Sequence, residues 1–323
     1  MHMEFTIIKA VLPSFAIALL GYLYSVKDSK LDMKSIANLI YYIFSPCLVY
    51  SSMAENAFKF QEFIMLGSSV IVLIFSLMAI TWFYKRISGL NGRGVYLPII
   101  FMNTGNIALP MAFFLYGNEG LSKAIIFHLV NVMLLYSMGV FMVSKKTDLK
   151  EFFKIPFLYA AVLGIITATI SIPIPENIGR YMSLLGKAIE ILGKGAIPLL
   201  IISLGYSLKR TRLSDVKHGL MGAGLRVIIG PVIAFGLIAI YRFIGWSPIE
   251  DGYSQVLFAD MRITEAVIVL MASMPAPITS FLLNEKFEES PELAASMVLI
   301  GTVSGIITIP FILSLSQKYI LGM

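Results

Sequence analysis

Apolar stretches of roughly twenty residues follow one another along this chain from Phe5 to the segment ending before Lys318, each long enough to cross a bilayer core of about 30 Å as a helix. A chain built this way is an all-α integral membrane protein. Of its 323 residues 58% are hydrophobic and 14% charged, with a mean hydropathy of +0.84, which excludes an ordinary soluble domain. Ten spans are predicted, at about 5–25, 35–53, 61–84, 95–117, 121–144, 155–172, 181–208, 216–245, 254–287 and 291–317. Phe5–Ser25 lacks both a basic flank and a small-residue cleavage site, so it reads as a retained helix rather than a signal peptide. The lone Cys47 leaves no intrachain disulfide.

The net charge of +6 would suggest nucleic acid in a soluble protein, but here basic residues sit in short loops and set orientation. Fifteen Lys and Arg fall in loops after odd-numbered spans, against five on the opposite side, which include Lys59, Lys123 and Arg242. That bias places the odd-numbered loops in the cytoplasm and both termini outside.

Five spans per half is an odd number, so two related halves must insert upside down relative to each other. Ser45-Pro46-Cys47-Leu48-Val49-Tyr50-Ser51 in the second span parallels Ile197-Pro198-Leu199-Leu200-Ile201-Ile202-Ser203 in the seventh. The expected division is a first repeat over 1–145, a short cytoplasmic linker over 146–154 and an inverted second repeat over 155–323.

The fourth and ninth spans each carry a polar interruption, Asn103-Thr104-Gly105-Asn106-Ile107-Ala108-Leu109-Pro110 and Met274-Pro275-Ala276-Pro277-Ile278-Thr279-Ser280. Gly105, Pro110, Pro275 and Pro277 are where a helix loses hydrogen bonds or takes unusual angles. At membrane depth such breaks survive inside protein or beside a polar cavity, and a matched pair in two halves points to a transporter's substrate site. Val95–Thr104 is about ten residues, or about 15 Å of helix, which sets the break near the bilayer midplane. Helices restarting there present free N–H groups and a partial positive charge that suit an anion. Neither stretch holds an Asp, Glu, Lys, Arg or His, so the expected site is polar and uncharged, and a carboxylate is its simplest ligand. The substrate-binding candidates are Asn103, Thr104, Gly105, Asn106, Pro110, Pro275, Ala276, Pro277, Thr279 and Ser280, with no metal and no cofactor implied. A single Gly or Pro kink in a membrane helix is commonly a packing device; the pairing is what favours function.

Four motifs in order resemble the auxin efflux carrier family, which includes the plant PIN-type exporters and bacterial relatives. They are Asn103-Thr104-Gly105-Asn106 through Pro110, Leu192-Gly193-Lys194-Gly195-Ala196-Ile197-Pro198 with Leu204-Gly205-Tyr206-Ser207-Leu208, Ser273-Met274-Pro275-Ala276, and Ser290-Pro291-Glu292-Leu293-Ala294-Ala295-Ser296. The resemblance implies two inverted five-helix repeats with the fourth and ninth helices broken and crossing at mid-membrane. It further implies a scaffold of helices 1, 2, 6 and 7, a transport domain of helices 3–5 and 8–10, and elevator movement. Bacterial members are thought to carry organic acids such as malate or malonate, in the cell membrane of a prokaryote, and a homodimer through helices 2 and 7 is implied. Two departures stand out: Ile278-Thr279-Ser280 replaces a stretch where relatives often carry Asn, and the linker is far shorter than in the plant exporters. Auxin itself and regulation through a long loop do not carry over.

Lys9, His128, Lys187, Glu190, Lys194, Arg226, Asp260, Arg262 and Glu265 fall within or near spans, where charge is costly. Glu190 is spaced to pair with both Lys187 and Lys194 on one helix face. Asp260, Arg262 and Glu265 are expected to snorkel near the outer headgroups. His128, beside the fourth span, is a candidate for proton coupling, with a packed structural histidine as the alternative. The leading function is a secondary transporter of carboxylate-bearing anions. A sodium-coupled carrier of the bile acid symporter type is the alternative, weakened by the missing acid. An intramembrane enzyme finds no His-Glu-x-x-His, paired Asp motif or Gly-x-Ser-x-Gly to support it.

Overall fold

The computed structural model describes residues 2–27, 31–55, 60–90, 92–144, 155–170, 176–209, 211, 213–246 and 255–321. The predicted linker 146–154 lies outside them, as do the side chains of Lys9 and Asp260. Every regular element among the described residues is helical. We label them α1 (His2–Lys27), α2 (Met33–Glu55), α3 (Phe60–Ser88), α4 (Tyr96–Ile100), α5 (Leu109–Leu134), α6 (Val140–Ser144), α7 (Pro156–Thr169), α8 (Glu176–Leu208), α9 (Val216–Phe243), α10 (Gln255–Ala272), α11 (Ile278–Lys286) and α12 (Pro291–Leu321). Among the described residues six helical runs are long and apolar enough to cross a bilayer: α2, α3, Tyr96–Ser144, Gly179–Leu208, α9 and α12. The apolar part of α1 from Val11 and α7 are shorter.

Local chemistry places several ends. Asp32 caps α2 by accepting from the Lys34 N–H at 3.1 Å, and Asp215 caps α9 by accepting from the His218 N–H at 3.1 Å. Prolines open α7 and α12, where a missing N–H costs nothing. Among the described residues π turns occur within and beside the helices, including Thr104–Ala108, Leu135–Gly139 and Leu225–Ile229, and such turns concentrate at functional sites.

The fourth and fifth predicted spans join without a loop. Gly117, at φ 63° and ψ −154°, turns the chain inside α5. The two arms must run back alongside each other, because the Thr104 hydroxyl lies 2.7 Å from His128 Nδ1, 24 residues on. A straight helix would separate them by about 36 Å.

Close packing follows the small residues. α1 and α8 touch backbone to backbone at Gly205 and Gly21: a Cβ built on Gly205 would lie 1.8 Å from the Ala18 carbonyl oxygen. α2 packs on α7, where Gly164 leaves room for Met53, and on α8 at Gly193. The other neighbourhood joins α3 to α5 and α9, α10 to α5, and α9 to α12 around fully buried Leu73, Leu77, Phe127 and Val269.

Two expectations about charge are corrected. Glu265 does not snorkel: it is fully buried and forms a two-pronged ion pair with Arg242, with Nε to Oε1 at 3.0 Å. Lys123, counted with the outer-side charges, is not at the surface: it is 2% exposed and lies 3.1 Å from the equally buried Glu62. The apolar surface around these residues forbids an unpaired charge, and each acid and base finds its partner on a neighbouring helix. Glu190 bonds Lys194 at 2.5 Å, while Lys187 acts on it at longer range.

Candidate functional site

The chain leaves the helical path at two places. After α4, Phe101 is extended at φ −94° and ψ 153°, and helical structure resumes at Thr104. The departure therefore precedes Gly105 and Pro110; Pro110 sits in the first turn of α5, the position where proline fits a helix. After α10, residues Ser273–Pro277 are non-helical and α11 starts at Ile278. The two interruptions touch: the Asn103 N–H donates to the Pro275 carbonyl at 2.9 Å.

The two restarting helices are finished differently. Asn103 caps the first by accepting from the Asn106 N–H at 3.2 Å, while the start of α11 has no side-chain cap. Uncapped N–H groups at a helix start are left seeking an acceptor.

Beside this junction lies a cavity of about 520 Å³, a size typical of small-molecule sites. Gly105, Asn106, His128, Ile278 and Thr279 line it on one side, and Lys34, Tyr41, Ser45, Phe157, Ser203 and Ser207 on the other. Among the described residues no acidic one lines it, and Lys34 and His128 are the basic ones. Of the ten predicted substrate residues, Gly105, Asn106 and Thr279 reach the cavity. Asn103, Thr104, Pro110, Pro275, Ala276, Pro277 and Ser280 are buried behind it. Among these, Asn103 Nδ2 and Ser280 Oγ have no hydrogen-bond partner.

His128 is held in place by a network. Asn131 Nδ2 donates to Thr104 Oγ1 at 3.1 Å and to the Met102 carbonyl at 3.2 Å, and the Thr104 hydroxyl meets His128 Nδ1. With Asn131 already donating to that oxygen, the hydroxyl proton is free to point at Nδ1, and the ring hydrogen then sits on Nε2. Phe157 lies against the ring at 5.7 Å between centroids.

The expectation of an uncharged junction is overturned. The two interrupted stretches carry no charge, but α9 inserts Arg226 between them, fully buried, with Nε on the Met274 carbonyl at 3.1 Å and Nη1 on the Ile100 carbonyl at 3.5 Å. Sequence reasoning noted Arg226 as an ionisable residue without a role. A signal was present: Val216–Phe243 contains no acid, so a buried arginine there has to find backbone carbonyls or another helix.

A family model described as "Membrane transport protein" matches residues 6–150 and 140–313. The chain belongs to this family, the family of the auxin efflux carriers. Like them it is a transporter and not an enzyme. This transporter is 25% identical over 289 residues to an uncharacterized transporter of Methanocaldococcus jannaschii, covering 85% of this chain and 87% of that one. It is 23% identical over 321 residues to an uncharacterized transporter of Methanothermobacter thermautotrophicus, covering 94% and 96%. The transporter's helices and its membrane-spanning character agree with that membership.

Proposed function

We propose that the transporter carries carboxylate-bearing organic anions through the junction of the two interrupted helices, which cross near mid-membrane. The observation that carries this reading is the cavity beside the touching interruptions. Among the described residues it has no acidic lining residue and two basic ones, and it meets an uncapped helix start at Ile278. A carboxylate there would accept from N–H groups and from the Asn106 amide without a desolvated ion pair.

An elevator mechanism is supported by a second cleft of about 350 Å³ lined by Leu48, Ser51, Glu55, Asn118, Glu190 and Lys194. The first half of α2, Met33 to Ser45, lines the large cavity, and its second half, Leu48 to Glu55, lines the cleft. The two spaces are thus stacked along one membrane-spanning helix. With the odd-numbered loops in the cytoplasm, Lys34 marks the large cavity as the inward side, and both termini face outward. In this reading α1, α2, α7 and α8 are the static scaffold, the remaining helices move, and the ten spans form two inverted repeats in a prokaryotic cell membrane. The homodimer through the second and seventh spans rests on family resemblance.

Asn106→Ala removes an amide from the cavity and should lower apparent affinity by about 10- to 100-fold, the worth of a hydrogen bond to a charged group. Uptake of malate, malonate and lactate into proteoliposomes, after a thermal-shift screen of the same acids, measures it. Full transport of every acid that binds, by both Asn106→Ala and Asn103→Ala, would place the substrate elsewhere.

His128 is the residue offered for a proton-linked step, because its ring lines the cavity and its Nδ1 meets the Thr104 hydroxyl. The His128→Gln transporter should keep substrate binding and lose the pH dependence of uptake. An unchanged pH profile returns His128 to a packing role. The sodium-coupled reading is less supported, because backbone oxygens at the junction already accept from Arg226.

A further inference from the structure

Arg226 is the largest fully buried side chain of the transporter. All three of its nitrogens end on main-chain oxygens: Nε on Met274, Nη1 on Ile100 and Nη2 on Ala272, the last at 2.5 Å. Ile100 ends α4 and Ala272 ends α10. A helix that stops leaves its last carbonyls unsatisfied and carries partial negative charge there. Two such ends brought together in a low dielectric repel each other, and no water is at hand to soften the contact.

The guanidinium answers both problems at once, since it is a cation with a planar fork of donors. The helix that delivers it is shaped for the purpose. Arg226 lies in the π turn Leu225–Ile229, and a Cβ on Gly230 would lie 2.6 Å from Nη2 and 2.5 Å from the Ala272 oxygen. Any larger residue at 230 would expel the guanidinium or the α10 end. Among the described residues no carboxylate pairs with Arg226, so its charge is spent on carbonyls.

We propose that Arg226 is a tethered cation. It fills, as part of the polypeptide, the carbonyl-lined position between two helix ends where an ion-coupled carrier would bind an alkali ion, and it holds α4 and α10 in register without a dissociable ion. The carbonyl geometry stands alone; only the consequence for coupling, that this position binds no sodium during transport, rests on the junction being the translocation site.

The test uses thermal stability of the purified transporter in detergent, so it needs no substrate and its failure is separate from failure of the carboxylate reading. Wild-type protein should melt at the same temperature in sodium, potassium and choline chloride. Arg226→Ala leaves three carbonyls around a vacancy and should melt lower by on the order of 5 °C or more. Low-millimolar guanidinium, or an alkali ion, should restore part of that loss in Arg226→Ala relative to choline while leaving wild type unchanged. Arg226→Lys, which keeps the charge and loses the fork, should melt between wild type and the apolar Arg226→Met. The proposal is overturned by an Arg226→Met protein as stable as wild type, by an Arg226→Ala protein that gains nothing from any of these cations, or by stabilisation of wild type by sodium alone. If Arg226→Ala does not fold, the comparison of Lys with Met decides: equal melting temperatures would mean that the charge is irrelevant.

Discussion

Lys123→Met is expected to destabilise the transporter by about 3–5 kcal/mol, the usual cost of removing one partner of a buried ion pair. Lys123 and Glu62 are each 2% exposed at the side chain and lie 3.1 Å apart, joining the second arm of α5 to the start of α3. Glu119, at 3.6 Å and partly exposed, is a weaker neighbour that keeps contact with water. Without the lysine the Glu62 carboxylate must remain charged in a poorly solvated site, take up a proton, or drag α3 outward. The double variant Glu62→Gln, Lys123→Met removes both charges and should recover a large part of the loss, because two neutral side chains of similar shape carry no such desolvation penalty. Unfolding midpoints of the two single variants and the double measure the coupling. A Lys123→Met protein within about 1 kcal/mol of wild type, or a double variant no better than the single, would show that the pair is solvated in the membrane.

Gly205→Val should have an effect of similar size for a different reason. The added Cβ would lie 1.8 Å from the Ala18 oxygen and 2.7 Å from its carbonyl carbon. Those are backbone atoms, so no rotamer change relieves the overlap, and α1 and α8 have to separate along their contact. Overpacking of this kind costs about 1–3 kcal/mol where side chains can yield, and more where backbone is met. Close approach at small residues is also what holds helices together in lipid, where the hydrophobic effect gives no help between them. Gly236→Val, in α9 with nothing within 4 Å of its Cβ, is the control and should be close to neutral. Equal losses in the two variants would mean that valine disfavours these helices in general and that the contact with Ala18 carries no special weight.

Legibility in the sequence followed the range of the interaction involved. That the chain is built of apolar, membrane-spanning helices is readable because hydropathy over about twenty residues is a local property matched to a fixed bilayer thickness. The interruption at Met274–Ser280 was readable because proline removes donors wherever it stands. The first interruption was placed a few residues late, because Gly105 and Pro110 looked like breakers. In the fold Gly105 lies in a π turn and Pro110 in a first helical turn, while Phe101 leaves the helix. Gly117 is an ordinary glycine by sequence, and its φ of 63° became evident only once two arms had to run side by side.

Charge was read least well. Lys123 begins the fifth predicted span and counts with the outer-side charges, and Glu265 is expected near the headgroups; both are buried because a partner comes from a distant helix. No window along the chain contains both members of either pair.

The junction shows the same division. By itself the sequence determined a membrane transporter of the auxin efflux carrier family, with two polar interruptions able to offer free N–H groups. Hydropathy, proline chemistry and short motifs are carried by neighbouring residues, so they survive being read in a line. Only the tertiary structure decided that the interruptions touch through Asn103 and Pro275, and that Gly105, Asn106, Thr279 and His128 share one cavity. It alone placed Arg226 against both helix ends, from 126 residues away at Ile100 and 46 at Ala272. A buried cation needs oxygens from whichever segments the fold brings within hydrogen-bond reach, and that requirement leaves no pattern among its own neighbours in the chain.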